Sequence, residues 1–193
     1  PTLSYTNTTL VGQDALDVIV TRASGENANT YIITASQADG ANPDYEITFK
    51  TGTFTIQKAT LSVTAEDKTI TYGDEVPAYT VRYEGFKNGD DKDDLGGTLD
   101  FYSYYRQFDD VGEYDIRPHG LESDNYVFFY YFGKLTVNAK PITVTIQNAT
   151  SVYGDTLAEL KATDNGIVNG DTNVYSLATT ATGTSNVGKS AIT

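Results

Sequence analysis

The chain lacks several residue types, and each absence excludes a kind of site. Among 193 residues there is no Cys, Met or Trp, and His119 is the single histidine. Without cysteine there is no disulfide framework, no thiol nucleophile and no Cys-based metal site. One histidine excludes a multi-His metal site, and no serine or threonine has a recognisable base for a His-dependent triad. We expect no enzyme. His119 itself, between Pro118 and Gly120, is predicted to be an exposed turn residue.

Positive charge is also scarce. The chain has 13 Lys and Arg against 26 Asp and Glu, which gives a formal net charge of −13 and a pI near 4.3. Nucleic acids and anionic membranes attract basic patches, so neither is an expected partner. No apolar run approaches the length of a membrane span, and no signal peptide is recognisable. Because the sequence does not begin with Met, we expect it to be a piece of a longer protein.

Two turn motifs recur in the sequence. Tyr72-Gly73-Asp74 returns 81 residues later as Tyr153-Gly154-Asp155, and Asn88-Gly89-Asp90 returns at the same interval as Asn169-Gly170-Asp171. Glycine after the tyrosine can take positive φ, and the aspartate can hydrogen-bond its own turn. Both motifs are therefore predicted to be turns between strands of a repeated module.

The repeat divides the chain into three copies. Residues 1–57 are a partial repeat that lacks its first strand, residues 58–138 are a complete repeat, and residues 139–193 are a partial repeat that lacks its final hairpin. The joints between the copies are only a few residues long and are not rich in Gly, Ser or Pro. They are expected to be short rather than flexible.

The residue types favour an all-β fold. Tyr and Phe number 15 and 8, beside abundant Thr, Val and Ile, and no helical spacing of apolar residues is sustained. We predict tandem small β-sandwich (Ig-like) modules of about 81 residues, with β-grasp-like modules carrying one short helix as the alternative. The predicted strands of the middle copy are Leu61–Ala65, Ala78–Tyr83, Leu99–Tyr105, Val111–Ile116 and a closing hairpin from Tyr126 to Val137, with a helical turn at Asp90–Asp94.

The closing hairpins indicate which residues form the core. In the first copy, apolar Tyr45, Ile47 and Phe49 alternate with polar residues, as on a strand with one buried face. The apolar positions that recur between copies are predicted to be core in the middle copy: Leu61, Val63, Tyr126, Phe128, Leu135 and Val137.

In the middle copy, the first strand of the closing hairpin is apolar on its opposite face as well, at Val127, Phe129 and Tyr131. Exposed aromatic surface marks interaction sites, and tyrosine suits sugars and protein interfaces. The run Phe101–Tyr105 is likewise aromatic on both alternations. The candidate ligand-binding residues are Tyr102, Tyr104, Tyr105, Phe129 and Tyr131. The alternative is that the segment between Asp90 and Tyr114, which is longer than its equivalent in the first copy, or a neighbouring module, covers these side chains.

An acidic turn offers oxygen ligands. Asp90, Asp91, Asp93 and Asp94 could bind calcium, which prefers carboxylates and carbonyls. The spacing is not that of an EF-hand, Lys92 lies in the middle, and the other copies have one aspartate each at this place. A solvated turn is the competing interpretation, and no other cofactor is expected.

The ordered motifs carry a family resemblance. Tyr72-Gly73-Asp74, Asn88-Gly89-Asp90, Val111-Gly112-Glu113-Tyr114 and Gly133-Lys134-Leu135-Thr136-Val137 resemble the MBG-type repeats (Tyr-Gly-Xaa class) of bacterial surface adhesins. The resemblance covers nearly the whole chain. It implies an extracellular, cell-surface stalk that presents adhesive regions, with neighbouring repeats as contacts and no catalytic residues. The alternative is a module that binds a host glycan, mucin or surface protein through the aromatic middle repeat.

The two partial copies are complementary, since one lacks the strand that the other has. Unpaired edges invite strand addition. One expected outcome is that the tail of one molecule completes the head of another. A second is that both are trimmed modules of a longer protein, and a third is that the physical module begins at the Pro after Tyr-Gly-Asp.

Overall fold

The computed structural model describes residues 2–8 and 10–193, and these residues form an all-β protein, as predicted. Pro1 and Thr9, both in the predicted first repeat, lie outside the described residues. Among the described residues no helix is both long and apolar enough to cross a membrane. The only helical element they contain is a short 3₁₀ turn, Lys92–Asp94, where a helical turn was predicted. The strands are β1 (Ile19–Arg22), β2 (Thr30–Ser36), β3 (Gly52–Thr55), β4 (Ala59–Ala65), β5 (Lys68–Thr71), β6 (Val81–Glu84), β7 (Gly96–Tyr102), β8 (Gly112–Glu122), β9 (Tyr126–Tyr131), β10 (Gly133–Asn138), β11 (Thr143–Ile146) and β12 (Ala162–Asn165).

The strands belong to two compact units, and the middle repeat contributes to both. The first unit consists of Pro1–Thr64, Val81–Asp100 and Pro118–Tyr131. The second consists of Ala65–Thr80, Phe101–Arg117 and Phe132–Thr193. Each unit therefore joins one partial repeat to part of the complete one.

The first unit contains two three-stranded sheets. In the first repeat, β2 pairs antiparallel with both β1 and β3. In the middle repeat the order is β6-β4-β9, and β4 runs parallel to β9 with Leu61 opposite Phe128 and Val63 opposite Tyr130. Farther along the chain, Gly97 and Gly120 both have positive φ, and a Cβ on Gly97 would lie 2.2 Å from the Gly120 carbonyl oxygen. Only glycine allows the two backbones to come this close.

The second unit is built around β10. This strand pairs in parallel with β5 on one side and antiparallel with the first half of β8 on the other. The third repeat contributes a two-stranded antiparallel sheet, β11 with β12. Near the end of this repeat, Ile192 forms an isolated antiparallel bridge with Thr179.

The predicted closing hairpins are wrong. β9 and β10 belong to different sheets, each in parallel with one of the consecutive strands β4 and β5. Gly133, which a hairpin from Tyr126 to Val137 would place near its turn, instead allows a close backbone approach, because a Cβ there would lie 2.7 Å from the Ala65 carbonyl oxygen. In the first repeat β3 pairs with β2, and residues 45–51 belong to no strand.

The core follows the predicted alternation with one exception. Leu61, Val63 and Leu135 are fully buried, and Tyr126 and Val137 are nearly so, which confirms five of the six predicted core residues. Phe128, which was also predicted to be core, is only half-buried and is the exception. Phe128 lies on β9, which is an edge strand of its sheet. Among the described strands, only β4 pairs with β9. The Phe128 ring stacks on Tyr130, with 5.9 Å between the ring centroids.

Candidate functional site

The outward side of β9 is an exposed apolar surface. Val127, Phe129 and Tyr131, here called the β9 face, alternate with the inward residues of the strand, and about half of each aromatic side chain is exposed (51% for Phe129 and 53% for Tyr131). The register places Thr60, Ser62 and Thr64 of β4 beside them. In-register residues of parallel strands point to the same side of the sheet. The β9 face therefore combines aromatic rings with a row of hydroxyl groups.

The other predicted aromatic residues divide into exposed and buried ones. Tyr102, at the end of β7, and Tyr104 are both largely exposed. Tyr105 is 5% exposed, with its ring 5.0 Å from that of Tyr114. The prediction is corrected at this position, because a side chain packed on Tyr114 offers no surface to a ligand. Burial also raises the pKa of the Tyr105 phenol.

A cluster in the second unit was missed from the sequence. The Arg117 guanidinium lies 4.9 Å from the Phe132 ring centroid and 5.8 Å from that of Tyr104, within the range of cation–π attraction. Arg117 also donates a 2.9 Å hydrogen bond to Asp115, which lowers the pKa of that carboxyl. The positive charge was visible in the sequence, but nothing there placed it against two aromatic rings.

The four carboxylates of the acidic turn do not surround a common metal position, because they have different hydrogen-bond and ion-pair partners. Asp91 and Asp94 form a reciprocal capping box around the 3₁₀ turn, with Asp91 Oδ1 accepting from the Asp93 amide at 2.7 Å. Asp93 pairs with Lys92, and Asp90 accepts a hydrogen bond from Tyr126. Three of the carboxylates thus bond within the turn itself, and the fourth, that of Asp90, bonds to a tyrosine of β9. Within residues 2–8 and 10–193, no group of three or more acidic or histidine side chains could hold a metal ion.

His119 is not the exposed turn residue that was predicted. It lies inside β8, which continues through Pro118 and Gly120 to Glu122, and it is half-buried. The Pro-His-Gly sequence suggested a turn. Gly120 instead supplies the positive φ that lets β8 pass close to Thr98 while remaining a strand.

In the first and middle repeats, the aspartate of a turn is hydrogen-bonded to a tyrosine at the start of the predicted closing hairpin. In the middle repeat the Tyr126 hydroxyl donates to Asp90 Oδ2 at 2.7 Å, and in the first repeat Tyr45 donates to Asp14 Oδ2 at 2.6 Å. The same phenol oxygens accept from backbone amides of the Asp-containing turns, those of Lys87 and Val11. We call this pair the Tyr–Asp latch. It explains why an Asp turn and a closing tyrosine recur together.

Hydrogen bonds also cross the boundary between the first and middle repeats. Within the first unit, the Ala28 amide donates to Asn125 Oδ1 at 2.8 Å. The side-chain nitrogen of Asn125 donates to Asn27 Oδ1 at 3.3 Å. A single asparagine of the middle repeat thus contacts two neighbouring residues of the first.

The boundary between the middle and third repeats is bridged by the Tyr-Gly-Asp turn. Within the second unit, the Tyr72 hydroxyl donates to Asp171 Oδ2 at 2.8 Å, and this hydrogen bond raises the pKa of Tyr72. A Cβ added to Gly73 would lie 2.9 Å from Val168, so this backbone packs directly on the third repeat. The first motif of one repeat therefore contacts the second motif of the next.

A protein-family model matches each of the three repeats. The model for the MBG domain (YGX type) matches residues 1–55, 61–136 and 142–193. These three tandem segments cover nearly all of the chain. No curated protein and no solved structure matches it.

Proposed function

Because the chain belongs to the family of MBG domains of the YGX type, we propose that it is an extracellular repeat region of a bacterial cell-surface adhesin. In this proposal the repeats are a stalk that holds adhesive regions away from the cell. Repeats of this family are typical of bacterial surface proteins, and the family is not an enzymatic one.

The observation that carries the proposal is that side-chain hydrogen bonds cross both repeat boundaries. Asn125 contacts the first repeat, and Tyr72 contacts the third. A spacer needs joints that resist pivoting, and short joints with hydrogen bonds and packed backbone limit the conformations available to neighbouring repeats. The Tyr-Gly-Asp motif of the middle repeat therefore contributes to the joint with the third repeat.

The charge of the chain supports the same function. A net charge of −13 disfavours adsorption to anionic surfaces, and bacterial envelopes and nucleic acids are anionic. An acidic stalk of this kind is repelled by the envelope that anchors it. This repulsion is weakened by salt.

The test is a surface-display experiment. A well-characterised binding domain is displayed on cells behind zero, one or two tandem copies of this chain, and capture of the cells on a surface coated with a dense polymer layer is measured. We expect capture to increase with the number of copies, and Phe129→Ser with Tyr131→Ser to leave that increase unchanged. Capture that is independent of copy number would reject the stalk.

A second candidate function is ligand binding by the middle repeat. The observation in its favour is the β9 face, where exposed Phe129 and Tyr131 lie beside the hydroxyl groups of β4. The partner would be a host glycan, a mucin or a surface protein. Apolar faces of sugar rings stack on aromatic side chains, and hydroxyl groups hydrogen-bond at their edges.

A glycan and mucin array tests this candidate. The full chain is compared with the double variant Phe129→Ser and Tyr131→Ser, and with Val174→Ser as a matched control, because Val174 is almost fully exposed but lies in another repeat. Loss of signal in the double variant alone would support binding through the β9 face. Equal signals for all three proteins would reject it.

A further inference from the structure

β9 of the middle repeat has one edge without a partner. Its sheet has the order β6-β4-β9, and among the described strands only β4 pairs with it. Apart from that pairing, no backbone–backbone hydrogen bond within the described residues involves Tyr126–Tyr131. The other edge of β9 therefore presents backbone N–H and C=O groups that a further strand can pair with.

Neither joint between the repeats uses this edge. Asn125, which contacts the first repeat, precedes β9. Tyr72 and Gly73, which contact the third repeat, follow β5. The unpaired edge thus belongs to the middle repeat itself, which has a neighbouring repeat on each side in the chain.

The side chains of β9 do not protect this edge. Exposed edge strands usually carry charges or proline, which discourage pairing with another chain. β6, at the opposite edge of the same sheet, carries Arg82 and Glu84, whose side chains are 63% and 77% exposed. β9 has no charged residue, proline or glycine among its six residues. Only one of the two edges is therefore blocked by charge.

The repeat does not require an apolar surface at this place. The positions 81 residues before the β9 face are Glu46, Thr48 and Lys50 in the first repeat. Two charged residues and one hydroxyl residue there correspond to a valine and two aromatic residues in the middle repeat. Exposed apolar surface that only one copy carries indicates contact with a partner.

From these observations we propose that β9 pairs antiparallel with β9 of a second copy of the chain, across a two-fold axis centred on Phe129. Strand residues alternate between the two sides of a sheet, so the inward sides of both strands coincide only when the axis passes through a residue. With Phe129 opposite its own equivalent, Val127 lies opposite Tyr131. This register pairs all three members of the β9 face.

A second copy fits the edge because the strand is complementary to itself. The register sets Phe129 against Phe129 and Val127 against Tyr131, and aromatic–aromatic and aromatic–β-branched pairs across strands stabilise a sheet. No charges are brought into contact, because β9 has none. The net charge of −13 on each copy opposes the approach of the two molecules, and salt screens this repulsion.

The dimer goes beyond the stalk function, because it joins separate molecules side by side rather than repeats of one chain. A two-fold contact uses the same surface on both partners, so it closes at two copies and does not propagate. The two three-stranded sheets become one continuous sheet, and the two β9 faces lie on the same side of it.

Cysteine cross-linking tests the register, because the chain has no native cysteine. Val127→Cys in a size-tagged chain is mixed with Tyr131→Cys in an untagged one under mild oxidation, and the disulfide-linked species are separated by size. Both side chains are about half exposed, and Phe129 is retained. Opposite residues of antiparallel strands have Cα atoms about 4.5–5.5 Å apart, which suits a disulfide.

Each cysteine variant is the control for the other. Two copies of Val127→Cys, or two of Tyr131→Cys, place their cysteines four residues out of register, roughly 14 Å apart along the strands. We expect about tenfold more of the mixed disulfide than of either homodimer, because only the mixed pair satisfies disulfide geometry. Comparable yields of all three species would mean that exposed cysteines react by random collision, and would overturn the register.

Light scattering completes the test. The mean mass of the unsubstituted chain should rise with concentration and level off at twice the monomer mass. Phe129→Lys sets two like charges against each other at the axis, so this variant should stay monomeric. Val174→Lys is the matched control, since it makes the same change of charge at an almost fully exposed position of the third repeat.

Three results would overturn the proposal. One is a monomer mass of the unsubstituted chain up to its limit of solubility, which would leave the edge of β9 to a strand of a different protein. Another is a mass that keeps rising beyond that of the dimer. The third is equal association of Phe129→Lys and Val174→Lys.

Discussion

Tyr126 and Asp90 are joined by a 2.7 Å hydrogen bond across 36 positions of sequence. The Tyr126 ring is 4% exposed, and its oxygen also accepts from the Lys87 amide. One phenol thus fixes the Asn-Gly-Asp turn against β9. The equivalent bond between Tyr45 and Asp14 in the first repeat shows that the contact belongs to the repeat and not to one copy.

Removing this hydroxyl is expected to destabilise the protein. Tyr126→Phe leaves the Lys87 amide without its partner and Asp90 without a donor, which costs about 1–3 kcal/mol of unfolding free energy. Tyr131→Phe is the control, because its ring lies on the exposed β9 face. Denaturant unfolding measures both variants. A cost for Tyr126→Phe no greater than that of the control would show that the latch does not stabilise the fold.

Stability should fall at alkaline pH. The hydrogen bonds to Asp14 and Asp171 raise the pKa values of Tyr45 and Tyr72 above their ordinary value of 10.0. A raised pKa in the folded state means that the protonated phenol is favoured by folding. The stabilisation is fully present below pH 10 and is lost as the pH rises through the folded-state pKa values.

The unfolding free energy measured between pH 8 and 12 tests this expectation. The double variant Tyr45→Phe with Tyr72→Phe should show a flatter dependence on pH than the unsubstituted chain. An equally steep decline in both proteins would mean that other groups cause it.

The two faces of β9 should differ in their response to truncation. As a reference, Leu61→Ala, at a fully buried position of the neighbouring strand β4, is expected to cost about 2–5 kcal/mol of unfolding free energy. Phe128→Ala, which is half-buried, should cost less than the roughly 3–5 kcal/mol of a fully buried phenylalanine. Phe129→Ala, on the exposed face, should cost below about 0.5 kcal/mol. Unfolding free energies that rank Phe129 above Phe128 would mean that the faces are exchanged.

The middle repeat is expected to fold alone. Strands β4 to β10 all lie within residues 58–138, including both parallel pairs. A polypeptide of these residues should unfold in one cooperative transition on heating or in denaturant. A broad transition without a baseline would place the boundaries of the folding unit elsewhere, for example across the repeats as the two compact units do.

Local patterns predicted much of this structure. Strand propensity and turn chemistry indicated the all-β class and a helical turn at Asp90–Asp94, within which the 3₁₀ turn Lys92–Asp94 lies. Alternation along β4 and β10 identified Leu61, Val63, Leu135 and Val137 as core, because a strand between two partners has a buried face that its residue types reveal.

Pairing between distant strands could not be predicted in the same way. The sequence shows that Gly133 separates two apolar runs, but a glycine at a hairpin turn and one at a close backbone approach look alike. The contact between Gly133 and the Ala65 carbonyl shows that the glycine allows a close backbone approach. Ala65 lies 68 residues earlier in the sequence, so local patterns do not reveal this contact. The burial of Tyr105, which lies after the end of β7, depends on a ring elsewhere in the fold, since it packs against Tyr114 on β8.

The stiffness of the joints tests the stalk most directly. The chain has no cysteine, so spin labels can be attached at Arg106→Cys in the middle repeat and Val174→Cys in the third, both exposed positions of the second unit. Pulsed electron paramagnetic resonance then gives the distribution of distances between the labels. We predict a narrow distribution that broadens in Tyr72→Phe, which removes the hydrogen bond to Asp171. A broad distribution before that change, or one that Tyr72→Phe leaves as it was, would contradict a spacer held at its joints.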